Sequence, residues 1–279
     1  MESTNSILIN RFFTRNTFRE ILENGESNTY TSAIKRYVKN TDALTNQECI
    51  SIIYHFLKSD YRNEYYYKNT LLNKLVFGVH NPHTTTALTE VPVGKSKADF
   101  ILINGKAVVY EIKTDLDNFD RLDNQIADYY KAFSRVAVVT SEKNYFDICK
   151  KLKNSPVGIY ILTDRGTISE RKKPDEDFSR LSLVAIFRIL RKEEYENIIS
   201  HEYGLLPNVS QFDYYKKCKA LFEALPVETA YAAFIQILKK RVKIEVEEIN
   251  KIPYPLRFIV YFSEYKKCDF SKLESFLNA

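Results

Sequence analysis

Asp99, Glu111 and Lys113 are the residues of this 279-residue chain whose types and spacing could do chemistry together. Two carboxylates can hold a hard cation such as Mg²⁺ or Mn²⁺, with water in the remaining positions. A neighbouring lysine can orient an attacking water and offset the charge that builds on a phosphorane-like transition state. The chemistry is hydrolysis of a phosphodiester bond. The triplet Glu111-Ile112-Lys113 alone carries little weight. In a chain with 36 acidic residues, an acid-x-Lys triplet arises by chance about three or four times. Glu170-Arg171-Lys172 and Glu264-Tyr265-Lys266 have the same form. Only the first ends a strongly apolar run, Ala107-Val108-Val109-Tyr110. On a strand, Glu111 and Lys113 share one face, and two charges at the end of a buried strand are costly unless paired or used.

Asp99 opens a second apolar run, Phe100 to Ile103, and Asn104-Gly105 between the two runs is a hairpin signal. The register decides whether the carboxylates meet. A strict two-residue loop sets Asp99 opposite Tyr110 and turns Glu111 to the other face. A shared face therefore predicts a three-residue loop including Lys106, or a bulge near Asp99. In that register Asp99, Ile101, Ile103, Ala107, Val109, Glu111 and Lys113 form one face. Phe100, Leu102, Val108, Tyr110 and Ile112 form the other.

The elements around these strands follow from periodicity. A helix is predicted from about Tyr61, stopped at Gly78 in a left-handed conformation. Strands follow at Thr86–Val93, Ala98–Ile103 and Ala107–Lys113. A helix over about 118–133 comes next, then a strand to Thr140, a helix over 143–153, a strand over 157–162 and a short strand at 167–169. A meander followed by crossover helices gives a mixed α/β sheet covered on both faces. Residues 1–60 read as helices. So do residues 174–279, with segments at 181–199, 209–225, 227–249 and 255–265, and the polar stretch Lys172 to Asp177 marks the boundary.

Lys97-Ala98-Asp99-Phe100, Tyr110-Glu111-Ile112-Lys113 and Gln125-Ile126-Ala127-Asp128-Tyr129, in that order, resemble the signature of the PD-(D/E)XK nuclease superfamily. The Q-x-x-x-Y element is similar to that of its RecB-type branch, and the stretch 61–140 resembles small uncharacterised bacterial members. Ala98 stands where the consensus has proline. The resemblance covers the middle third of the chain and says little about either flank. It implies a restriction-endonuclease-like core over 61–173, between an N-terminal helical region (1–60) and a C-terminal helical domain (174–279). It also implies a metal held by Asp99, Glu111 and the Ile112 carbonyl, and a water positioned by Lys113. Gln125 and Tyr129, four apart on one helix face, border the site in that family. Glu64 fits the carboxylate that the family often carries on the helix before the meander; an exposed pair with Lys68 is the other reading. The function so implied is a Mg²⁺- or Mn²⁺-dependent deoxyribonuclease, in phage defence, mobile-element biology or repair.

Other residues weigh less. Lys95, Lys97, Arg121 and Lys131 surround the motifs and could contact phosphates, or be plain solvated charge. Glu90 could support the metal site from a distance but reads better as a strand-edge charge. Asp117 reads as a helix cap. His80 and His83 could help hold a metal or phosphate but read better as exposed loop residues. Arg171 to Lys173 form a short basic cluster. Tyr65 to Tyr67 could stack on bases, with at least one in the core.

A net charge of +5 with 7 glycines fits a polyanion partner and argues against a glycine-rich nucleotide loop, of which there is no match. The four cysteines, far apart, read as reduced buried thiols. No apolar run reaches the ~18–20 residues of a membrane span, and the N-terminus lacks signal-peptide character. The expectation is a cytoplasmic protein with DNA as partner, RNA remaining open. Two other functions stay beside it: a non-catalytic nucleic-acid-binding or regulatory module on a nuclease fold, and an interaction protein acting through its helical flanks.

Overall fold

The period-two runs pair into one six-stranded mixed sheet in the computed structural model, which describes residues 4–279. Residues 1–3, where the N-terminal helical region is expected to begin, lie outside the described residues. The strands are β1 (Thr86–Val93), β2 (Ser96–Asn104), β3 (Lys106–Ile112), β4 (Val136–Thr140), β5 (Gly158–Leu162) and β6 (Ile168–Lys172), and they neighbour one another in chain order. β1, β2 and β3 form an antiparallel meander. β3, β4 and β5 are parallel, and β6 is antiparallel at the edge. Parallel neighbours need crossovers, and helices inside the two connections supply them.

The N-terminal helices are α1 (Thr4–Phe12), α2 (Arg15–Asn24), α3 (Asn28–Tyr37) and α4 (Asn46–Ser59). They lead to α5 (Glu64–Leu71), which runs on as a π-helical segment, Leu72–Val79. The crossovers carry α6 (Leu122–Tyr129) and α7 (Tyr145–Lys151). After the sheet come α8 (Leu183–Ile189), α9 (Lys192–Tyr203), α10 (Gln211–Glu223), α11 (Val227–Lys239), α12 (Val246–Lys251), α13 (Arg257–Phe262) and α14 (Lys267–Asn278).

The sheet separates two cores. Phe100, Leu102, Tyr110, Ile112, Ala137 and Tyr160 pack into the first, with α1–α5 and with α12–α14. Ile101, Ile103, Val109, Val138 and Ile161 pack into the second, with α6–α11. The C-terminal helices are thus shared between the two faces. Among the described residues no single helix is long and apolar enough to cross a membrane.

Three local expectations are corrected. Gly78 is not a left-handed stop: the left-handed glycines are Gly25, Gly94, Gly105, Gly166 and Gly204. The wider helical turn closes instead by His80 N–H reaching Leu75 O at 2.9 Å, which satisfies an end carbonyl without a positive φ. The run 181–199 breaks where Leu190 and Arg191 are extended, with Glu194 capping the Arg191 N–H at 2.7 Å. The run 227–249 breaks between α11 and α12. Apolar spacing continues across both breaks because the flanking helices face the same core, so periodicity could not show the break.

Candidate active site

The β2–β3 register is the one a shared face requires. Ile103 pairs with Ala107 and Phe100 with Tyr110, and Gly105, at φ 70°, occupies the tip of the turn between Asn104 and Lys106. One step beyond the last pair, Asp99 and Glu111 stand across from each other. Asp99 Oδ2 accepts the Ile112 N–H at 2.8 Å, and the Thr89 hydroxyl donates to the Asp99 carbonyl at 2.7 Å. Burial, and then the Glu111 charge beside it, push the Asp99 carboxyl above its ordinary range.

Glu111 is 1% exposed, and both its oxygens are engaged. Lys113 Nζ donates to Oε1 at 2.7 Å, and the Tyr129 hydroxyl meets Oε2 at 2.5 Å. Lys113 also donates to Gln125 Oε1 at 2.9 Å. The Tyr129 hydroxyl lies 2.9 Å from the Lys97 carbonyl oxygen. Burial, reinforced by Glu111, holds that phenol well above its usual value, so it stays a donor. A buried carboxylate is tolerable only when it is paired, and Lys113 and Tyr129 each engage one Glu111 oxygen, which leaves a second acceptor site on each. The structure thus brings together Asp99, Glu111, Lys113, Gln125 and Tyr129.

Glu64 joins them from the start of α5. Its carboxylate and those of Glu90 and Asp99 have ligand atoms within 4.8 Å of one another. Glu90 is therefore no plain strand-edge charge. Its backbone is left-handed (φ 57°), and it interrupts the β1–β2 ladder between the pairs Thr89–Phe100 and Val91–Ala98. A non-glycine residue held in that region stores strain. Lys68 bridges this cluster, with an ion pair to Glu64 at 2.5 Å and another to Glu90, so the expected Glu64–Lys68 pair is present. Burial works against the Lys68 charge, but the two glutamates outweigh it and raise its pKa. Burial likewise opposes the Glu90 charge, and Lys68 and Lys97 hold its pKa down.

Carboxylate oxygens converging at this distance suit a hard divalent cation. Glu111 is not in that trio; its oxygens face Lys113 and Tyr129. Ile112 commits its N–H to Asp99.

Asp128, inside the Q-x-x-x-Y element, escaped the sequence reading. It is 8% exposed, and Oδ2 takes the Lys95 N–H at 3.0 Å and the Ser96 hydroxyl at 2.8 Å. Lys131 pairs with Oδ1 at 2.7 Å. Asp128 thereby ties the β1–β2 turn to α6. Gly94 in that turn has φ 63°, and a Cβ there would lie 2.6 Å from Asp128 Oδ1.

Lys95, Lys97, Arg121 and Lys131 are all exposed beside the site. Lys97 also pairs with Glu90 at 3.1 Å. Tyr65, Tyr66 and Tyr67 are all buried, so none is free to stack on a base. Asp117 closes the turn after β3 by accepting from the Thr114 N–H and hydroxyl at 2.8 and 2.7 Å, and it does not cap α6. His80 contacts Asn104 at 2.9 Å, at the far end of β2 from Asp99. Arg171 pairs with Glu142, and Lys172 donates to the Ser155 carbonyl. Cys49 and Cys218 are buried free thiols as expected. Cys149 is half-buried, and Cys268, in the first turn of α14, is exposed.

The family model described as Bacteriophage P4 protein cII matches residues 57–251, from the end of α4 through α12. The chain belongs to the bacteriophage P4 protein cII family. All the site residues described above lie within the matched cII region. Protein cII of Enterobacteria phage P4 is 27% identical over 111 residues, which cover 39% of this chain and 41% of that protein. The alignment thus spans less than half the length of this relative. No solved structure matches the chain.

Proposed function

We propose that this cII-family chain is a Mg²⁺- or Mn²⁺-dependent nuclease that hydrolyses phosphodiester bonds of DNA on a restriction-endonuclease-like PD-(D/E)XK core. The observation that carries the reading is Lys113 Nζ held by Glu111 at 2.7 Å and Gln125 at 2.9 Å, one strand across from Asp99. An ammonium has three donors, so two bonds fix its position and one remains for a water or a phosphoryl oxygen. Asp99 and Glu111, with the Ile112 carbonyl, would hold the metal, and Glu64 and Glu90 add carboxylates beside Asp99. The metal would lower the pKa of a bound water and neutralise charge on the phosphoryl group. Lys113 would orient that water, and Gln125 and Tyr129 would keep Lys113 and Glu111 in place. Exposed Lys95, Lys97, Arg121 and Lys131 would take the flanking phosphates.

The test is incubation with supercoiled, linear and single-stranded DNA and with RNA, with Mn²⁺ or with EDTA. DNA cutting with Mn²⁺, its loss in EDTA and its loss in a folded Lys113→Ala variant are the expected results. Unchanged cutting by that variant refutes the assignment. A non-catalytic nucleic-acid-binding module is the second reading. It is favoured by Lys68, whose ammonium already bridges the Glu64 and Glu90 carboxylates. Tight DNA binding with no cutting under any metal would select it.

A further inference from the structure

At the opposite end of β1 from Glu90 lies a polar cleft of about 500 Å³. It is lined by the loop 82–86, the C-terminal end of α11 and the segment 242–246. Its walls are tied together: the Thr86 hydroxyl donates to the Lys239 carbonyl at 2.7 Å, and the Ala87 N–H donates to the Tyr261 hydroxyl at 2.9 Å. Lys239, Lys240 and Lys243 line it, and among the described residues no ion pair engages any of them. None of the lining residues is acidic; Glu245, within the segment 242–246, is exposed and outside the lining. Arg241, between these lysines in sequence, is spent instead on Glu194 through two bonds of 2.7 and 2.6 Å. A second observation points the same way. Thr85 lines the cleft and is 3% exposed, yet its hydroxyl has no hydrogen-bond partner. A buried hydroxyl left unsatisfied costs free energy, and an oxyanion acceptor in the cleft would relieve it.

We propose that this cleft binds phosphate groups, supplied by the backbone of a nucleic acid strand. Three unpaired ammonium groups and a hydroxyl donor are what a phosphate needs. The cleft offers little to a base: the Tyr261 ring is 2% exposed with its hydroxyl already engaged by Ala87, which leaves the exposed His83 imidazole at the rim as its one accessible ring. Four residues of β1 separate Thr86 from Glu90, about 14 Å along a strand. A phosphate bound here therefore belongs to a part of the strand away from the acidic cluster. The site does not rest on the nuclease reading.

Polarisation of a labelled single-stranded DNA oligonucleotide, measured in EDTA across a salt series, tests it without regard to cutting. Lys240→Ala/Lys243→Ala should weaken low-salt binding about 10-fold and flatten the log–log salt slope by about 1.4, at 0.7 per lost phosphate contact. Thr85→Val should weaken binding a few-fold and leave the slope unchanged. Lys150→Ala/Lys153→Ala, exposed lysines elsewhere on the surface, should have little effect on either. Equal losses in both lysine pairs, or no loss in the first, overturn the site. Titration with pyrophosphate and ATP forms the second arm. Binding of ATP that the first lysine pair abolishes, with oligonucleotide binding intact, overturns the nucleic-acid source.

Discussion

Glu111 is where the residue-scale argument concentrates. Its carboxylate is almost wholly buried and shared between Lys113 and the Tyr129 phenol. Tyr129→Phe leaves the ring in place and removes one donor, so Oε2 loses its partner. Stability should fall by about 1–3 kcal/mol in chemical denaturation. If the proposed chemistry holds, a Mn²⁺ titration of cutting should shift by about 10–100-fold, as for loss of a partner that orients a metal ligand. An unshifted titration would mean the phenol is only a structural contact. Tyr129 was singled out by the resemblance of its Q-x-x-x-Y element, and its four-residue spacing to Gln125 placed the two on one helix face. Its partner was not, because the bond joins residues 18 apart in sequence.

At the scale of elements, the β1–β2 turn and α6 act as a unit joined by Asp128. Gly94→Ala places a Cβ against that carboxylate and imposes a left-handed backbone on alanine. Destabilisation of roughly 1–3 kcal/mol is expected in thermal or urea unfolding. Asp128 also gives a pH signature. Burial opposes its charge, but Lys131, Ser96 and the Lys95 N–H outweigh that and depress its pKa. A depressed carboxyl contributes stability above its unfolded value, near 3.9, and the contribution is lost as pH falls through the lower folded value. Asp128→Asn should therefore lose stability at neutral pH and show a weaker acid dependence below about pH 4. Urea midpoints measured against pH would decide it; identical pH profiles for the two proteins would exclude the role.

The whole molecule hangs on a sheet that two sets of helices cover. The last helices close the first core: Ile249, Leu256, Ile259, Val260, Leu273 and Leu277 are all buried there with α1–α5. Each such side chain contributes about 1.5–3 kcal/mol on burial, so together they are comparable to the ~5–15 kcal/mol by which a domain is stable. Removing residues 246–279 should therefore leave an aggregating chain without a cooperative unfolding transition, by circular dichroism and size-exclusion chromatography. A folded truncation product would show that α1–α5 cover the first face without α12–α14.

What the sequence determined by itself is local. Apolar runs bounded by turn residues made β2 to β5 legible almost to the residue, because a strand buried on both faces must be largely apolar and must break at its turns. The need for Asp99 and Glu111 to share a face required the three-residue turn at Gly105. Helix ends were less legible, since apolar spacing runs on across Leu190 and the 240–245 loop. Only the tertiary structure decided which distant groups meet. Glu90 reaches the acidic cluster through a left-handed residue that no spacing announces. Lys68 sits between two carboxylates 26 residues apart (Glu64 and Glu90). The C-terminal helices divide between the two faces, and the 82–86 loop meets the end of α11 to form the lysine-lined cleft. These are long-range contacts selected by the packing of whole elements, and the periodicity of a single segment holds no information about its distant partner.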